Sequence, residues 1–164
     1  MKLYGGIDLH SNNSVFSIKD ETGNVIARRK LPNDLTKTFH FLEAFKKQLT
    51  GLVVESTFNW YWLVDALNEA NYPVHLANTT AIQQYSGLKY ADDNSDADWL
   101  AEMQRLGVLP EGYIYPKEAR TVRYLMRKRM QLVQQATLNI LSIQGLYMRH
   151  LRYNTLDSFG IKIR

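Results

Sequence analysis

Six residues, GLVVES at 51–56, make an unbroken apolar run rich in β-branched side chains, with an acid, Glu55, at its C-terminal end. A strand of this kind has no polar face to turn toward water, so it belongs in a sheet covered on both sides. The flanking segments supply the rest of that sheet and its cover. Upstream, LYGGIDL, SVFSIKD and NVIARRKL read as a three-stranded meander, with the last two strands joined through DETGN, where Gly23 and Asn24 both tolerate a positive φ. After Pro32, Asn33 or Asp34 can cap a helix whose apolar positions Phe39, Leu42, Phe45 and Leu49 follow helical spacing, ending near Gly51. Downstream, NWYWLVDALNEAN sets Trp60, Leu63, Val64 and Leu67 on one side of a second helix, and YPVHLAN reads as another strand.

The order βββ, α, β, α, β predicts an α/β fold. A meander leading into right-handed crossovers gives a mixed five-stranded sheet flanked by helices, with the first and fourth strands side by side at its centre. Residues 78–91 carry only weak helical signals. From Asp92 the run DDNSDADWLAEMQRLG predicts a helix with Trp99, Leu100, Met103 and Leu106 apolar, ending at Gly107. A loop with Pro110, Gly112 and Pro116 then leads to a long amphipathic helix from Lys117 to about residue 152, interrupted at most near Gly145, with Val122, Leu125, Leu132, Ala136, Ile140, Ile143 and Tyr147 as its stripe. The expected division is a body over 1–112 and a helical connector over 117–164, the start of a coiled-coil-like region.

Charge follows that division. The net +4 combines a body of net −4 over residues 1–116 with a tail of net +8 over residues 117–164. Arg120, Arg123, Arg127, Lys128 and Arg129 fall within three helical turns beside Tyr124, with no acid among them. Such a patch suits phosphate contact, a solvated helix face being the plainer alternative. The apolar stripe beyond it has no evident partner within the chain, which points to pairing with another copy, as a dimer or higher oligomer. The absence of cysteine excludes thiolate metal sites and leaves carboxylate, carbonyl and water oxygens and the imidazole nitrogens of His as donors. With no secretory pattern at MKLYGGIDLH and no span of about 18 apolar residues, a cytoplasmic protein without membrane contact is expected.

The acids of the body gather by topology. Asp8 and Glu55 close the two strands expected to be adjacent, on the sheet edge where open α/β folds place ligands. Asp93 and Asp96, three apart in the following helix, could approach the same point. Carboxylates this close repel unless a cation or proton intervenes, and an all-oxygen donor set suits Mg²⁺ or Mn²⁺, two such ions serving phosphodiester chemistry. Each acid alone has a plainer explanation: Asp8 as a turn cap, Glu55 as a solvated strand end, Asp92, Asp93 and Asp96 as acids offsetting a helix dipole.

GIDLH at 6–10, VVEST at 53–57 and DNSDADWLA at 93–101, followed by RTVRYLMRKR at 120–129, together resemble the N-terminal domain of the Piv-like "one-ten" insertion-sequence transposases. That resemblance spans nearly the whole chain. It implies an RNase H-like (RuvC-like) fold and a DEDD tetrad of Asp8, Glu55, Asp93 and Asp96, both catalytic and metal-binding. Asp92 also shares a face with Asp96, but Asp93 keeps the D-x-x-D spacing. It further implies DNA as substrate, a structured guide RNA as partner, a bacterial cytoplasmic setting, and a C-terminal transposase domain, carrying a nucleophilic serine, beyond this chain. The alternatives are a RuvC-like junction resolvase that hydrolyses DNA unaided, and a non-catalytic module for guide-RNA binding and dimerisation. Among the other residues, His10, His40, His75 and His150 show no metal-ligand spacing, though His10 could approach Asp8, and Trp60, Tyr61 and Trp62 could stack on bases, with at least one in the core.

Overall fold

The computed structural model describes residues 1–56, 60–82 and 95–151. In chain order the elements are β1 (Leu3–Leu9), β2 (Asn13–Asp20), β3 (Val25–Pro32), α1 (Leu35–Glu43), β4 (Leu49–Glu55), α2 (Tyr61–Glu69), β5 (Val74–Ala77), α3 (Thr79–Ile82), α4 (Ser95–Leu106), β6 (Glu111–Gly112) and α5 (Lys117–Leu151). They form two compact units, Met1–Ile114 and Tyr115–Arg164. The sheet order is β3-β2-β1-β4-β5-β6, with β1 antiparallel to β2 and parallel to β4. The mixed α/β sheet expected from the sequence is therefore present, its first and fourth strands adjacent. Among the described residues it has six strands rather than five: the two residues of β6 pair antiparallel with Leu76 and Ala77 of β5, and a strand that short leaves no periodic signal.

Alternation along the two central strands divides the interior into two layers. Leu3, Ile7 and Leu9 of β1 and Leu52 and Val54 of β4 face α1 and α2, where Leu42, Leu63, Val64 and Leu67 complete the larger core. The other face is covered by α4. There Val53 and Ala77 meet Leu100 and Met103 in a smaller core. A Cβ added to Gly6 would fall on the carbonyl oxygen of Ala97 and 2.8 Å from the nitrogen of Ala101, so α4 lies on β1 at backbone contact. Polar ties hold its outer side. Lys19 Nζ stands 2.9 Å from Glu102, whose carboxylate also accepts from Arg105, and Arg105 Nη1 donates to the Glu21 carbonyl at 3.2 Å. Leu106, expected on the apolar side of this helix, is exposed at its end.

Three local outcomes differ from the periodicity. The β2–β3 turn is organised by Asp20, which accepts from Thr22 N and Oγ1 and from Asn24 N and Nδ2; only Gly23 takes a positive φ, at 90°, and Asn24 contributes its side chain instead. Of the two possible caps for α1, Asp34 accepts from Lys37 N at 3.1 Å. The helix then ends at Glu43 rather than near Gly51. Residues 44–48 turn sharply, Gln48 gives its carbonyl to Leu3 N at 2.9 Å, and Leu49 pairs with Leu3 in the sheet, so strand pairing has claimed a residue that the helical spacing assigned to the helix. The helix expected over 117–152 forms as α5 and runs through Gly145 without interruption. No described helix is long and apolar enough to cross a membrane.

Two measurements check this account. Gly6→Ala should destabilise the chain by about 1–3 kcal/mol in chemical denaturation, as overpacking against a backbone does. Asp20, held at about 2 chiefly by the Thr22 hydroxyl, and Glu102, held at about 2 chiefly by Arg105, both bind protons less readily folded than unfolded. Their stabilisation is therefore complete above their unfolded values near 4 and disappears as pH falls toward 2. Asp20→Asn and Glu102→Gln should each flatten the acid limb of melting temperature against pH.

Candidate functional site

Parallel pairing sets Gly6 opposite Val53 and Ile7 opposite Val54, so one step further along both strands Asp8 and Glu55 stand at the same level. Alternation turns both toward α4, the face that Gly6 and Val53 already occupy. Neighbouring strands lie about 4.8 Å apart, so the two carboxylates leave the sheet side by side. Asp8 is buried, at 4% exposure, and Glu55 is half-buried. The direction of α4 follows from its contacts: Ala97 lies over Gly6, whereas Gln104 lies over Gly51, nearer the start of β4. The helix thus runs antiparallel to both central strands, and its first turn, carrying half-buried Asp96, is delivered to the edge where Asp8 and Glu55 emerge. Asp93 and Asp92 lie outside the described residues.

A buried carboxylate needs a partner. Asp8 Oδ2 stands 3.1 Å from Nε2 of His10, whose side chain is half exposed. The loop after β1 is held by Asn33, the residue that could have capped α1: its Nδ2 donates to the carbonyls of His10 at 2.9 Å and Ser11 at 3.1 Å, and its Oδ1 accepts from Ser14 Oγ at 2.7 Å. Two positions apart on extended backbone is same-face spacing, so the Asp8–His10 pairing had a signal in the sequence. The role of Asn33 had none.

Asp98 is drawn elsewhere. Arg28 of β3 reaches it with a two-pronged guanidinium, Nε donating to Oδ1 at 3.2 Å and Nη2 to Oδ2. This fork fixes the first turn of α4 two residues from Asp96. Beside Glu55, the Ser56 and Thr79 hydroxyls stand 3.4 Å apart. On β5 and β6, His75 Nδ1 meets Glu111 Oε1 at 3.1 Å, a pair that the scattered histidines did not foreshadow.

As a donor set, Asp8, Glu55 and Asp96 are hard carboxylate oxygens with no sulfur competitor, the chemistry that suits Mg²⁺ or Mn²⁺. Among the described residues no three acids or imidazoles are gathered within ligating reach of one point, and the fourth acid of the tetrad is not among those residues.

The unit Tyr115–Arg164 presents the basic segment differently from a uniform patch. Arg120 Nε donates to the Tyr115 carbonyl at 2.8 Å and the Arg123 guanidinium lies 4.5 Å from the centre of the Tyr115 ring, so both fold back on the start of α5. Arg127, Lys128 and Arg129 are exposed, Lys128 reaching Gln131 at 3.1 Å. Along the same helix Val122, Leu125, Leu132 and Ile143 are exposed apolar side chains. Trp60 is buried with its ring 4.0 Å from that of Tyr61, so at least one of the three aromatics is core as expected, and Tyr61 and Trp62 are partly buried against the larger core.

A mixed sheet of this order, flanked by helices and with acids closing its two central parallel strands, is an α/β fold of the RNase H-like class. The family model for DEDD transposases of the IS110 type, described as transposase, matches residues 5–149. The chain belongs to that family, whose members are transposases that act on DNA. A search of curated proteins gave no match.

If the Arg28 fork fixes the start of α4, Arg28→Ala should speed amide hydrogen exchange in the first turn of that helix, while global stability falls by no more than about 1 kcal/mol, the range of a partly exposed ion pair.

Proposed function

We propose that the unit Met1–Ile114 is the metal-dependent catalytic domain of a DNA transposase, and that it cleaves and exchanges phosphodiester strands during insertion-sequence transposition. The observation that supports this most directly is the register of β1 and β4, which stands Asp8 and Glu55 side by side at the edge reached by the first turn of α4. Asp8, Glu55 and Asp96, with Asp93 of the same D-x-x-D motif, are the residues proposed to hold Mg²⁺ or Mn²⁺, as a pair of ions. Bound there, the metal supplies Lewis-acid activation of an attacking oxygen and neutralises charge on the leaving one. The chain's own contribution is to keep these carboxylates close and oriented: α4 covers Asp8, and the His10 imidazole orients its carboxylate, as partners behind a metal ligand do.

The exposed Arg127, Lys128 and Arg129 of α5 are proposed to contact nucleic acid, either target DNA or a structured guide RNA, through phosphates rather than bases. Arg120 and Arg123 belong to the same segment but serve first to shape the helix start on Tyr115. The exposed apolar side chains of α5 support pairing with a second copy of the chain, as a dimer or higher oligomer. Strand exchange, on this reading, needs the C-terminal domain that the family resemblance implies; hydrolysis of branched DNA by this chain alone would instead favour a resolvase.

Thermal unfolding with Mg²⁺ or Mn²⁺ against chelator tests the metal site. At about a hundredfold the dissociation constant, the ion should add about 2.7 kcal/mol of stability to the wild type. Asp8→Asn, Glu55→Gln and Asp96→Asn should each remove most of that gain. A wild-type melting temperature indifferent to metal, or a gain that survives all three changes, contradicts the proposal.

A further inference from the structure

Register places a cation in line with the acids. Lys30 of β3 pairs with Val15 of β2, Val15 pairs with Asp8 of β1, and Glu55 follows on β4 at the same level. Paired residues in a sheet project to the same face, so Lys30, Val15, Asp8 and Glu55 form one row on the face that carries α4. Two strand spacings of about 4.8 Å set Lys30 about 10 Å from Asp8. Among the described residues, Val15, apolar and buried, holds the pairing position between them.

The neighbouring cations of β3 are not equivalent. Arg28, on the same face one row back, is committed to Asp98. Arg29 pairs with Phe16, whose ring lies in the larger core, so it projects to the opposite face. Lys30 is exposed and makes no hydrogen bond or ion pair among the described residues. Two adjacent acids repel the backbone they are meant to receive, and a cation at the end of that row offsets the repulsion along one direction only. A strand that leaves the acids and passes over the buried Val15 toward the exposed edge of β3 brings a following phosphate within reach of Lys30.

We propose that Lys30 is a phosphate contact for the DNA strand, setting its path across β2 toward the outer edge of β3. The proposal rests on the acidic edge being the phosphodiester site. The alternative for a lysine on an edge strand is a guard against edge-to-edge pairing, which predicts self-association and no effect on DNA.

The test is the salt dependence of DNA binding by the full chain with chelator present, read by fluorescence anisotropy on a labelled duplex. Lys30→Gln should lower the slope of log affinity against log salt by about 0.9 and weaken binding at low salt, as loss of one phosphate contact does. Lys47→Gln, an exposed lysine beyond α1, should leave the slope unchanged. The metal-dependent melting shift should persist in Lys30→Gln. An unchanged slope in Lys30→Gln, with or without self-association, overturns the proposal, as does an equal fall in Lys47→Gln. A slope that falls as expected in a chain whose melting ignores metal would leave the phosphate contact standing and reject the metal site.

Discussion

Everything at the acidic edge depends on how closely α4 can lie on β1. The approach is set by Gly6, whose missing side chain lets the carbonyl of Ala97 and the amide of Ala101 rest on the strand. From that contact follow the antiparallel course of the helix, the covering of Val53 and Ala77 by Leu100 and Met103, and the delivery of Asp96 to the edge where Asp8 emerges. The polar ties, Arg28 to Asp98 and Lys19 to Glu102, settle the rotation of the helix on a surface that packing has already chosen. The more exposed of these pairs, Arg28 with Asp98, contributes little to stability.

The electrostatic design is uneven. Asp8 and Glu55 close adjacent strands and one of them is buried, whereas three of the body's cations, Arg28, Lys19 and Arg105, pair with groups on or next to α4. Asp8 is the clearest instance of a costly placement. A carboxylate at 4% exposure carries a desolvation cost, and the His10 ring nitrogen 3.1 Å from its Oδ2 is the contact that offsets part of it.

Much of this was legible in the residues. The unbroken apolar run at 51–56 required a covered strand, its neighbours supplied the order βββαβαβ, and that order made β1 and β4 adjacent, which the pairing of Gly6 with Val53 bears out. The family resemblance carried by GIDLH, VVEST and DNSDADWLA agrees with the match over residues 5–149. Local periodicity did less well wherever tertiary pairing competed with it. Leu49 kept helical spacing yet joined β4, and β6 was too short to announce itself. The basic segment looked uniform in sequence, but the nearby Tyr115 engages two of its five cations, a choice that composition cannot express. The row from Lys30 to Glu55 is likewise a product of register, invisible until the strands are aligned.

The central claim is that Asp8, Glu55 and Asp96 belong to one metal centre. It is tested most directly by crystals of the chain soaked in Mn²⁺, with diffraction collected where manganese scatters anomalously. The account predicts an anomalous peak at the edge formed by the ends of β1 and β4, within about 2.0–2.3 Å of oxygens from Asp8 and Glu55 and with Asp96 in its coordination sphere, directly or through water. Absence of any peak there at saturating Mn²⁺, with Asp8 still paired to His10, would contradict it.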